Sequence, residues 1–106
     1  MADRWIQKFQ KEALPKLVGE FHPEKVIFFG SRVHGRGKKE SDIDVIVVSS
    51  SFANIPFVKR MPLILKRVSF PKHIDYICYT KEEYEKMKHE SSIIMDALEH
   101  SVEVTL

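Results

Sequence analysis

Two carboxylates one residue apart, Asp42 and Asp44, follow the pair Gly30-Ser31 with ten residues between. That layout supplies what chemistry on a phosphate needs, a turn for the anion and carboxylates for a cation. Gly30 has no Cβ, so a phosphate can approach the backbone closely. Ser31 offers a hydroxyl and can cap a short helix through residues 32–34, whose first free N–H groups would point at an anion. Asp42 opens an apolar run, Asp42 to Val48, that reads as a strand. Side chains alternate along a strand, so Asp42 and Asp44 share one face and Ile43, Val45 and Val47 the other. Carboxylates this close repel each other and call for a cation between them. A hard, oxygen-seeking ion, Mg²⁺ or Mn²⁺, suits them and keeps room for substrate phosphates. An isolated Asp-X-Asp is more often a solvated turn. The Gly-Ser ahead of it, between two strand-like runs, favours the metal site.

A third carboxylate, Asp75, lies inside His73-Ile74-Asp75-Tyr76-Ile77-Cys78-Tyr79, a run of β-formers. Aspartate is disfavoured there unless it faces solvent or has a task. If this strand neighbours the second, Asp75 sits beside Asp44. Three carboxylates can hold two metals, or hold one and deprotonate a hydroxyl. Between the motif halves, Gly35, Arg36, Gly37, Lys38 and Lys39 form a cationic turn that favours a polyphosphate, although a solvated loop has the same composition. Arg32, directly after Ser31, is better placed than Arg36 to meet phosphate; either can instead neutralise Glu40 and the carboxylates. His34 can contact the nucleotide or face water. The five histidines lack the helical His-x₃-His spacing and supporting cysteines of a zinc site.

These residues resemble the signature of the minimal nucleotidyltransferases, the small branch of the DNA polymerase β-like superfamily. Gly30, Ser31, Asp42 and Asp44 match its Gly-Ser-x₁₀-Asp-x-Asp, and Arg32, Gly35 and Ser41 match further positions. Asp75 falls where the family carries its third carboxylate. The likeness is close over about residues 22–80. His34 departs from it, standing where arginine is common, and Gly37-Lys38-Lys39 replaces a proline- and acid-containing turn. The resemblance implies a Mg²⁺-dependent enzyme that transfers AMP from ATP to a hydroxyl. It also implies a protein partner, because many members are antitoxins that adenylylate a HEPN-type ribonuclease toxin on tyrosine, or block it by binding. The implied roles are Asp42, Asp44 and Asp75 for metal and catalysis, and Gly30, Ser31 and Arg32 for the nucleotide. Two other readings use the same residues: a catalytically silent antitoxin acting by contact, and an enzyme adding nucleotides to RNA ends.

The elements that must position this set alternate between helix and strand. Residues 3–20 read as an amphipathic helix capped by Asp3, with Pro15 bending or splitting it. Val26 to Phe29 is the first strand. Residues 55–68 read as a helix with Asn54 as cap, Pro56 in its first turn and Pro62 bending or breaking it. Thr80-Lys81-Glu82-Glu83 has the capping-box pattern of a charged helix running to Glu90. Ser91 or Ser92 can cap a second short helix, and Val102 to Leu106 alternates like an edge strand. The expected fold is α/β (α+β): helices against a small mixed sheet, in one nucleotidyltransferase domain over residues 1–106.

Composition sets outer limits. The apolar fraction is 43 % and the net charge +2, too weak by itself to argue for nucleic acid. Cys78 alone cannot form an internal disulfide; it reads as core, on the face opposite Asp75, and the setting as cytoplasmic. No apolar run approaches the ~20 residues of a membrane span, and Met1-Ala2-Asp3-Arg4-Trp5 lacks the apolar core of a signal peptide. A chain this short has little surface for a second substrate pocket. A partner is therefore expected to present the acceptor, and a homo-oligomer is compatible with the sequence.

Overall fold

The computed structural model describes residues 3–30 and 42–106. The Asp3 carboxylate caps α1 (Arg4–Glu12), accepting from the Trp5 N–H at 2.8 Å and the Ile6 N–H at 3.0 Å. Pro15 does split the N-terminal helical run. α2 (Leu14–Phe21) begins there with proline in its first turn, where a missing N–H leaves no intrahelical bond unmade. His22 ends α2 with a left-handed φ of 46°, its N–H bonded to the Val18 carbonyl at 2.9 Å.

β1 (Lys25–Phe29), β2 (Ile43–Val48), α3 (Phe57–Arg67), β3 (Ile74–Tyr79), α4 (Lys81–Glu90), α5 (Ser92–Glu99) and β4 (Val102–Glu103) follow. The strands form one sheet in the order β3-β2-β1-β4. β2 runs antiparallel to β1 and parallel to β3, so α3 is the crossover that parallel neighbours require. β4 pairs with the free edge of β1 and spans only two residues of the alternating tail.

Both faces of the sheet are covered. Val26, Phe28, Ile43, Val45, Val47, Ile74, Tyr76 and Cys78 pack with Ile6 and Phe9 of α1, Leu17 and Phe21 of α2 and Ile64 of α3. Ile27, Ile46, Val48 and Tyr79 form a smaller core with Tyr84 of α4 and Ile94 of α5. Cys78 is buried as expected, and burial pushes its thiol up to about 12, which disfavours the thiolate a nucleophile needs.

The third helix departs from expectation at its start and continues through Pro62. It starts at Phe57 with Pro56 in the cap position and no side-chain cap, so Asn54 does not cap it. Pro62 sits inside the helix without breaking it. Pro62 is exposed, and the carbonyl it leaves unpaired belongs to exposed Val58, where water can satisfy it. The Thr80 capping box of α4 and the Ser91 cap of α5 form as read.

One buried cation was not foreseen. Arg60 of α3 is only 4 % exposed. Its guanidinium donates to the carbonyls of Ile55 at 2.8 Å and Cys78 at 3.1 Å, and to both carboxylate oxygens of Glu83. The hydrogen bond from Arg60 holds the Glu83 carboxyl below its ordinary range. The pair ties α3 to the end of β3 and to the first turn of α4.

Candidate active site

Strand register builds the site. Phe29 of β1 pairs with Asp44 of β2, and Asp44 with Asp75 of β3, so the three stand in a row across the sheet. Asp44 and Asp75 point to the same face as Ile46 and Ile77, but lie beyond the part that α4 and α5 cover, and both stay half-buried. Asp42 is exposed, one residue ahead of β2. The first two aspartates therefore share a face as the alternation predicts, and Asp75 does sit beside Asp44.

Clustering shows in the electrostatics. The Asp44 carboxyl is pushed up from 3.8 to about 6, first by burial and then by the charges of Asp75 and Asp42. An acid held this high carries charge that its surroundings do not balance, which is the condition a divalent cation relieves.

Gly30 acquires a definite structural reason. Its φ is +84°, a region that residues with a Cβ rarely adopt. A Cβ built there would overlap Asp44 Oδ2 and lie 3.1 Å from Asp44 Cγ. The glycine lets the chain leave β1 directly alongside the carboxylate. Ser31 and Arg32, together with His34, Gly35, Arg36 and the short helix expected through 32–34, lie outside the described residues.

His73 belongs to the cluster and was missed in the sequence. Its Nε2 lies 3.0 Å from Asp75 Oδ1. One donor atom from each of Asp42, His73 and Asp75 falls within 4.8 Å of the others. A signal was available: His73-Ile74-Asp75 repeats the spacing of Asp42-Ile43-Asp44, and an alternate residue on a strand shares a face. Carboxylate oxygens and an imidazole nitrogen are donors suited to a divalent cation, so the residues present fit such an ion.

Comparison with known proteins bears on the fold and the family. A candidate nucleotidyltransferase from Sulfolobus solfataricus, with a crystal structure at 1.40 Å, superposes with a TM-score of 0.62 at 25 % identity, over 91 % of this chain and 76 % of that one. The BolA domain of SufE1 from Arabidopsis thaliana superposes with a TM-score of 0.52 at 21 % identity, over 78 % of this chain and 98 % of that one, a likeness of fold alone. No curated protein matches the sequence significantly. The family model for the nucleotidyltransferase domain matches residues 8–104. That span includes Gly30 and all three aspartates, and the chain belongs to the nucleotidyltransferase domain family.

Proposed function

We propose that this nucleotidyltransferase moves AMP from ATP to a hydroxyl with the help of Mg²⁺ or Mn²⁺, and that the hydroxyl is a tyrosine of a HEPN-type toxin. The observation that carries the reading is the placement of Asp44 and Asp75 side by side on parallel strands with Asp42 beside them. Asp42, Asp44 and Asp75 would hold the cation. When bound, the cation would offset charge on the triphosphate and on the leaving pyrophosphate. Asp75, on the edge strand, stands where an acceptor hydroxyl can reach it and would take up the hydroxyl proton. Gly30 keeps the β1 exit flush with Asp44, and Ser31 and Arg32 would grip the phosphates. Positioning of ATP against an acceptor supplied by another molecule would provide most of the rate.

The test is label transfer. The protein is incubated with labelled ATP, Mg²⁺ or Mn²⁺, and the protein encoded beside it. Label on that partner, lost in Asp42→Ala and Asp44→Ala, supports the reading. Toxin neutralisation that survives both substitutions with no label transferred would show an antitoxin acting by contact. Label on RNA would move the acceptor to nucleic acid.

A further inference from the structure

Among the described residues, one nitrogen donor, His73, lies with the aspartates. The inference rests on the cation-dependent reading above and concerns which cation the site selects. We infer that His73 is itself a ligand of the cation, so that this chain has a mixed carboxylate–imidazole site preferring Mn²⁺ to Mg²⁺.

Geometry comes first. A six-coordinate ion with bonds of about 2.1–2.2 Å places adjacent donors about 3.0 Å apart and opposite donors about 4.3 Å apart. His73 Nε2 and Asp75 Oδ1 are 3.0 Å apart, the adjacent-donor spacing. The donors of Asp42, His73 and Asp75 all fall within 4.8 Å of one another. Topology agrees independently. Ile43 pairs with Ile74 and Asp44 with Asp75. The same register carried one residue back sets Asp42 opposite His73, so the strand entrances present two donors each, Asp42 with Asp44 and His73 with Asp75. The His73 side chain is half exposed, which leaves its ring free of any packing duty in the core.

Ligand chemistry then sets the preference. Mg²⁺ is hard, prefers oxygen and gives up water reluctantly, whereas an imidazole nitrogen gains relatively more from a first-row transition ion. The competing role for His73 is to orient Asp75 through their hydrogen bond without touching the ion. Orientation alone would change affinity for both ions by the same factor; ligation changes their ratio.

The experiment uses the metal-free full chain and the metals alone. Mn²⁺ binding is followed by electron paramagnetic resonance and Mg²⁺ by competition, in the wild type, His73→Ala, Asp42→Asn and Asp44→Asn. Pulsed spectra of the Mn²⁺ form report any directly bonded ¹⁴N. The expected result is ¹⁴N coupling in the wild type that vanishes in His73→Ala. Mn²⁺ affinity should fall there about tenfold or more while Mg²⁺ affinity changes far less. An unchanged Mn²⁺/Mg²⁺ ratio, or no ¹⁴N coupling in the wild type, overturns the inference. If binding still requires Asp42 and Asp44 in that case, the cation-dependent reading stands. A wild type that binds neither metal overturns both.

Discussion

Asp44 makes the metal-free protein sensitive to pH in a direction that can be worked out. Its carboxyl titrates at about 6 in the folded chain against 3.8 for the ordinary group. An acid raised on folding binds more protons folded than unfolded between those values. Its contribution to stability is therefore greatest at low pH and declines as pH rises from about 4 to about 6. The interval corresponds to about 3 kcal/mol at ~1.36 kcal/mol per pH unit, and solvent screening at a half-buried carboxylate reduces this to about 1–2 kcal/mol. Asp44→Asn removes the charge with little change of shape. In chelator, the variant should match the wild type near pH 4 and exceed it by about 1–2 kcal/mol above about pH 7. For a domain of this size that is about 4–9 °C in Tm. Urea or thermal unfolding across the pH range reads the difference. Adding Mn²⁺ or Mg²⁺ should narrow the gap, because the cation stabilises the fully ionised wild-type cluster more than the variant, which keeps Asp42, His73 and Asp75 but lacks one carboxylate charge. An offset between the two proteins that stays constant from pH 4 to 8 would refute the electrostatic account of the site.

Other substitutions probe the frame around the carboxylates. Gly30→Ala should cost about 1–3 kcal/mol by thermal unfolding and abolish nucleotidyl transfer, because its Cβ would displace Asp44. Gly19→Ala is the contrast: its Cβ meets nothing within 4 Å on an exposed helical site, so it should gain about 0.5–1 kcal/mol by the same measurement. Arg60→Met should cost about 2–4 kcal/mol in urea unfolding, since it strands the carbonyls of Ile55 and Cys78; Glu83→Gln, with its partly exposed carboxylate, should cost less. Tyr76→Phe should be neutral or stabilise by up to about 1 kcal/mol, because the buried Tyr76 hydroxyl has no hydrogen-bond partner among the described residues.

Local signals wrote most of the scaffold legibly. Asp3, Thr80 and Ser91 are caps because their side chains satisfy free N–H groups, a requirement set by neighbours in sequence. Pro15 splits a helix for an equally local reason. The three aspartates were readable because alternation fixes a face and the β-forming run around Asp75 made it conspicuous. Their adjacency needed the sheet, since no local pattern states that β2 and β3 are neighbours. His73 and Arg60 were hidden for related causes. A histidine ahead of a strand is unremarkable until its register partner is known. An arginine on a charged helix reads as solvent-facing until the carbonyls of Ile55 and Cys78 close around it. At Pro62 the sequence left bend or break open; the helix continues through it, with the unpaired carbonyl on exposed Val58, where water can reach it.

The parallel pairing of β2 with β3 divides this site into a fixed gauge and an adjustable rim. Backbone hydrogen bonds hold Asp44 and Asp75 at the spacing of neighbouring strands, about 4.8 Å, and no substitution nearby can alter that distance without unzipping the sheet. A slip of one residue between the two strands would put the two carboxylates on opposite faces of the sheet. Asp42 and His73 stand just outside the paired strands, where a change of residue leaves the ladder intact. Any retuning of the centre, by natural drift or by an engineer seeking a different ion, has its freedom there.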